Sequence, residues 1–276
     1  MIHLGDYNTL TILRDTEPGL FLGDTDGNEV LLPNRYVPKV FEIGEKIDVF
    51  VYLDNEERLV ATTDKPYIKK GDFALLRCNQ VTNFGAFLDW GLVKELFCPF
   101  KEQAFKMKAG GWYLVHCYLD EETERLVATS KTNHFLDNKE LTVAQFDTVD
   151  LIVSHPSELG MNVIVNKTHT GLVFKDDIYK DISIGDRLKG TVKKVRSDNK
   201  LDISLNQIGY RNIEPNAEHI LFELQDNGGF LPLNDKSNPE DIKDKLQMSK
   251  KNFKKAIGSL YKERQIEIKD DGIHLK

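Results

Sequence analysis

The chain has 276 residues, 40% of them hydrophobic, which is core material for roughly two to four small domains. No apolar run approaches the ~20 residues that cross a bilayer, and Met1 to Asp6 lacks the basic and then apolar stretches of a secretory leader, so a cytoplasmic protein that spans no membrane is expected. Cys78, Cys98 and Cys117 are odd in number and have no Cys-x-x-Cys spacing, which argues against a disulfide scaffold or a zinc site.

The net charge of −7 sits almost wholly in residues 1–64, with 5 Lys/Arg against 13 Asp/Glu; residues 65–133 carry 10 against 8. An acidic first segment repels phosphate, whereas the rest is balanced and its lysines are clustered.

In chain order, the first signal is a repeat. Tyr52-Leu53-Asp54 and Arg58-Leu59-Val60-Ala61-Thr62 return as Tyr118-Leu119-Asp120 and Arg125-Leu126-Val127-Ala128-Thr129, with a weaker copy ending at Lys200-Leu201-Asp202-Ile203-Ser204. Each copy opens on a glycine: Gly44, Gly110 and Gly185. The spacings of 66 and 75 residues (110 − 44, 185 − 110) fit small domains rather than a solenoid. Lys46 to Leu53 and Trp112 to Leu119 are β-patterned runs, each leading through an acidic turn into a second short strand. In the second unit three more strands precede them, Phe73 to Val81, Gly85 to Asp89 and Glu95 to Phe100. Five short strands in about 65 residues read as an OB-type Greek-key barrel, an architecture that binds oligonucleotides on one face. The expected domains are 1–64, 65–133, 134–210 and 215–276, with a short connecting helix over 134–146.

Beyond Pro215 the period changes to helical. Ile220, Leu221 and Leu224 recur at helical spacing, Ser237-Asn238-Pro239-Glu240 starts a helix, and Ser249 caps another. Gln265 to Ile268, Asp270-Asp271-Gly272 and Ile273 to Leu275 form a hairpin. Three helices and a hairpin are the winged helix-turn-helix order. Lys250, Lys251, Lys254 and Lys255 share one helix face opposite Phe253, Ile257 and Leu260, an apolar back with a cationic front suited to phosphates. A solvated lysine face is the plainer alternative.

Asn83-Phe84-Gly85-Ala86-Phe87-Leu88-Asp89 places two rings around a glycine. A strand bent or bulged at Gly85 turns both Phe84 and Phe87 to one face, where rings can stack unpaired bases. Arg77, Lys94 and Lys101 on flanking strands are candidates for phosphate. If the rings instead belong to the core, this reading fails.

Phe84-Gly85-Ala86-Phe87-Leu88 resembles the Phe-Gly-Ala-Phe-Val signature of S1-type RNA-binding domains. The resemblance implies an RNA face made of the two aromatics, a histidine on the next strand and an Asp/Arg pair near the last hairpin. Asp120 and Arg125 match that pair; the histidine position falls on Cys98, a departure. Of the two rings the first unit keeps only Phe21, though its Asp54 and Arg58 have the family spacing, and the third has lost both rings but carries Phe174 at the histidine position. Three such domains and a winged helix resemble the conserved virulence factor B family, which implies a bacterial, virulence-related regulator that binds RNA.

No phosphate-binding loop, calcium loop or His-x-x-x-His pair is present in the sequence, and Ser154-His155-Pro156-Ser157 and Lys167-Thr168-His169-Thr170 read as turns rather than parts of a catalytic triad. The expectation is therefore a mainly β chain of three tandem S1-like OB-fold barrels and a winged helix, not an enzyme and without a cofactor. Its expected partner is single-stranded RNA. Duplex DNA read by the winged helix, or docking on ribosome or RNA polymerase, are the alternatives.

Overall fold

The computed structural model describes residues 1–178, 181–205 and 215–276 and divides into two units, Met1–Leu205 and Asn206–Lys276. Residues 206–210, expected to end the third domain, lie outside the described residues.

The first unit holds three closed barrels. Strands β1 (Tyr7–Thr16), β2 (Gly19–Gly23), β3 (Glu29–Pro33), β4 (Lys46–Leu53) and β5 (Leu59–Thr62) make the first. Strands β6 (Phe73–Val81), β7 (Gly85–Asp89), β8 (Leu96–Pro99), β9 (Trp112–Asp120) and β10 (Arg125–Thr129) make the second. Strands β11 (Thr148–Pro156), β12 (Gly160–Val165), β13 (His169–Phe174), β14 (Arg187–Val195) and β15 (Leu201–Ser204) make the third. In each, the third and fifth strands pair in parallel and the other neighbours antiparallel. This is the OB-type order expected from sequence.

The recurring glycine has a physical cause. Gly44, Gly110 and Gly185 sit at φ +94°, +84° and +91°, a region that strains any side chain. Their N–H groups donate to the carbonyls of Ile12, Cys78 and Val153 at 2.7, 2.7 and 2.8 Å. Each of these carbonyls lies where the first strand of its barrel slips register against the second. The glycine thus ties the fourth strand to the bulge that curves the first. In the motif hairpin the bulge lies in β6, between Cys78 and Gln80, and not at Gly85 as expected.

The barrels share buried seams. Trp90 packs edge-on against Phe50 and Tyr52 of the first barrel, with ring centroids 5.9 and 6.3 Å away, and donates its indole N–H to the Lys94 carbonyl. Between the second and third barrels Phe73, Ile152 and Ile164 form a small core. Arg187 donates to the Phe73 carbonyl at 2.6 Å, and Lys167 pairs with Asp72 across the same seam.

The connecting helix expected over 134–146 is absent; a 3₁₀ turn spans Thr132–Phe135 instead. The following residues give their polar groups to the third barrel: the Asn138 side chain donates to the carbonyls of Thr170 and Asn199, and the Asp137 carbonyl meets His169 Nδ1. Leu141 and Val143 pack on the same barrel. Tertiary hydrogen bonds replace helical ones.

The second unit contains α1 (Pro215–Asp226), β16 (Phe230–Leu231), α2 (Pro239–Leu246), α3 (Lys250–Lys262), β17 (Ile266–Ile268) and β18 (Ile273–Leu275). Asn238 caps α2, Pro239 occupies its first turn, and the Ser249 hydroxyl accepts from Asn252 N–H at 3.2 Å to start α3. Gln247, left-handed at φ +51°, makes the tight turn between them. The short strand β16, not foreseen, completes a three-stranded sheet with the hairpin. Among the described residues no helix is long and apolar enough to cross a membrane.

Candidate nucleic-acid interface

Period-2 burial makes the outer face of the second barrel. In β7, Ala86 and Leu88 point inward, so Phe87 and Asp89 point out; in β8, Leu96 and Cys98 are buried, so Phe97 and Pro99 point out. Phe87 and Phe97 are register partners, with ring centroids 5.0 Å apart. Phe84, in the bend before β7, is 78% exposed. A groove of about 960 Å³ runs past all three rings and onto the first barrel.

Gly85 allows the rings this approach. A Cβ there would lie 2.4 Å from the Cys98 carbonyl oxygen and 2.9 Å from the Phe97 ring. Gly19 and Gly160 meet the Leu32 and Val173 carbonyl oxygens in the same way, at 2.1 and 2.0 Å. All three barrels therefore cross their second and third strands at one glycine, paired with Pro33, Pro99 and Phe174.

This shared register corrects the expected histidine position. Cys98 is fully buried, and burial pushes its thiol up to about 12. The outward residues of β8 are Phe97 and Pro99, one position to either side of Cys98, and of these Phe97 carries the ring. Strand alternation was the signal that could have found it. Phe174 does not match Phe97 either: it pairs with Gly160 and so matches Pro99, while Leu172 stands opposite Asn162 where the second barrel has its ring pair. Phe174 lies on the third barrel's outer face, with the Arg196 guanidinium 5.5 Å from its ring centre and Arg196 itself paired to Asp202 at 2.8 Å. In the first barrel the corresponding pair is Phe21 and Leu31, and Arg14 covers the Phe21 ring at 4.3 Å while held by Glu29 at 2.6 Å.

The groove on the second barrel brings together Phe84, Phe87, Lys94, Lys101, Asp120 and Arg125 of the expected residues. Arg77, Phe174 and the lysines of α3 are not among the residues lining it. The Lys94 amine donates to the Asp54 carbonyl of the first barrel at 2.7 Å, and burial lowers its pKa. Its local role is to join barrels. Asp120 and Arg125 are register partners but do not pair: Asp120 accepts from the Thr123 hydroxyl at 2.8 Å, and Arg125 reaches Glu57 of the first barrel. In the first barrel the equivalent Asp54 and Arg58 do pair, at 2.7 Å. Glu57, Asp89, Glu95 and Asp120 also line the groove, and Glu95 accepts from Asn79 and Gln80 at 2.7 and 2.8 Å. The site is thus aromatic and polar, with cations at its rim.

On α3, Phe253, Ala256, Ile257 and Leu260 are buried in the domain core while Lys251, Lys254 and Lys255 are exposed and Lys250 is half-buried. The tip of the hairpin carries Asp270 and Asp271, the latter 3.1 Å from His274.

Residues 218–275 match the CvfB-like winged helix domain, and residues 4–64 match the S1 domain. Both are nucleic-acid-binding folds. The S1 match falls on the first barrel, whose ring set is the poorer of the first two. Along most of its length the chain is similar to YitL of Bacillus subtilis, at 28% identity over 95% of this chain and 90% of the relative. It is also 25% identical to conserved virulence factor B of Staphylococcus epidermidis, over 85% of this chain and 81% of that protein. A solved multidomain protein with nucleic acid binding domains from Streptococcus pneumoniae aligns over 99% of this chain and 98% of its own, at 25% identity and a TM-score of 0.43.

Proposed function

We propose that this chain is a cytoplasmic, non-catalytic regulator that holds single-stranded RNA and acts after transcription, in a virulence-related role such as its relatives' name implies. The observation that carries this reading is the patch of Phe84, Phe87 and Phe97 open to one groove on the second barrel. Ring faces accept unpaired bases of any sequence, whereas paired bases in a duplex keep theirs stacked on one another. Lys101 and Arg125 at the rim meet the backbone. The first barrel contributes little stacking, because Arg14 already covers Phe21.

A second reading, duplex DNA bound by α3, is favoured by the lysines opposite its buried face. The acidic hairpin tip opposes it, since the wing would lie against phosphate. Comparing labelled homopolymer RNA with duplex DNA at one salt concentration tests both. Tighter binding of the RNA, with little ranking among sequences, is expected; equal or tighter binding of the duplex would overturn the first reading in favour of the second.

A further inference from the structure

A second groove, of about 680 Å³, lies at the seam between the second and third barrels. Two of its lining side chains are large rings left open to solvent: Trp112 at the start of β9, 61% exposed, and Phe105, 84% exposed. Removing such rings from water stabilises a fold, so folding alone does not explain their position. Lys131, His134 and His155 line the same groove, and none of its lining residues is Asp or Glu. The groove on the Phe84 face, in contrast, has four acidic residues, Glu57, Asp89, Glu95 and Asp120. A chain that is acidic overall thus keeps its acids out of this one aromatic groove.

Arg77 joins the two grooves. Its place in the sequence suggested the Phe84 face, but its register partners are Asp89 on β7, which lines the first groove, and Trp112 on β9, which lines the second. All three side chains belong to one cross-strand row. Adjacent strands lie about 4.8 Å apart, so the row from Asp89 to Trp112 spans roughly 10 Å. From this geometry we infer that a single-stranded RNA leaves the Phe84 patch, passes its backbone over Arg77 and stacks further bases on Trp112 and Phe105. The inference rests on the RNA-binding reading above and extends it to a second stacking site.

Trp112 supplies its own reporter. The chain has two tryptophans, and Trp90 is buried at 2% exposure, so the emission lost in Trp112→Phe is that of the exposed one. The probe is a labelled 12-nucleotide oligoadenylate RNA, with binding read by anisotropy on the full chain. The expected results are quenching of Trp112 as the RNA binds, and affinity about fivefold or more weaker in Trp112→Ala and in Phe105→Ala, the low end of losing one stacked base. Phe105 lies off the strands, so its variant tests the site even if Trp112→Ala folds poorly.

If anisotropy reports binding while Trp112 emission is unchanged and Phe105→Ala binds as the parent does, the second site falls and the RNA reading stands. Absence of any anisotropy change would remove both. Trp112 emission that shifts with protein concentration in the absence of RNA would assign the seam to contact between copies, which overturns the inference.

Discussion

Phe87 on β7 and Phe97 on β8 face each other across a register pair, their rings 5.0 Å apart and tilted by 41°. Such a pair is half buried by itself and leaves one face of each ring to a ligand. Phe84, beside them, has little support from the protein. Replacing Phe97 with Ala should therefore weaken single-stranded RNA binding by about 1–3 kcal/mol, as should Phe87→Ala. Because the rings touch, the double variant should lose less than the sum of the two. Titration of both singles and the double, with thermal melts alongside, checks this. Loss of affinity that merely follows a large fall in melting temperature would return the rings to the core.

Much of this arrangement was legible in the sequence. The repeat exposed the barrels because the left-handed glycine is required once per copy. Capping residues and helical period exposed α2 and α3 because those signals are local. What was not legible depends on pairing. Phe97 and Cys98 are adjacent, and choosing between them required the inward parity of Leu96. Spacing along the chain places Phe174 and Arg77 near the rings, whereas register decides which strand they meet. The stretch 134–146 reads as helical in sequence, yet Asn138 and Asp137 give their hydrogen bonds to β13 of the third barrel.

Gly85→Ala should cost stability even though β7 is otherwise ordinary strand. The added Cβ would lie 2.4 Å from a backbone oxygen, Cys98 O, which cannot swing away as a side chain can. Separation of β7 from β8 is the only relief. We expect a loss of about 1–3 kcal/mol, the usual range for overpacking, together with weaker RNA binding because the Phe87–Phe97 pair moves. Gly110→Ala is the control: its Cβ would meet nothing within 4 Å, so only the strain of φ +84° applies there, about 1–2 kcal/mol. Urea denaturation with RNA titration on both variants separates the two effects.

His116 makes the seam between the second and third barrels acid-sensitive. Its ring lies between Phe73 and Phe135, with centroids 4.4 and 4.1 Å away, and its Nδ1 has no hydrogen-bond partner. Burial lowers its pKa from 6.5 to about 4, against a smaller opposing effect of the Asp72 backbone. Between those values the unfolded chain binds the extra proton and the folded chain does not. The contribution is therefore complete above pH 6.5 and declines as the pH falls towards 4. Each pH unit inside the window removes up to about 1.4 kcal/mol. His116→Phe should abolish this slope. Comparing the stability difference between variant and parent at pH 7 and pH 5 cancels any packing change, and a relative gain of up to about 2 kcal/mol at pH 5 is expected.

The lysines of α3 test how the winged helix takes part. Changing Lys250, Lys251 and Lys254 to Gln removes charge but keeps helix propensity, since Gln and Lys are similar helix formers. The buried face of Phe253, Ala256, Ile257 and Leu260 is untouched, so the domain should stay folded. If these side chains meet phosphate, affinity should fall alike for every RNA sequence. The slope of log affinity against log salt should flatten by about 0.7 for each single-strand phosphate that is no longer neutralised. Base readout would instead change the ranking among sequences. Lys250 is half-buried while Lys251 and Lys254 are exposed, so the last two should carry most of the change. Titrations of two homopolymers across a salt series measure slope and ranking together. An unchanged slope at unchanged affinity would leave the lysines as a solvated face, and the aromatic grooves of the barrels would then have to account for binding without the winged helix.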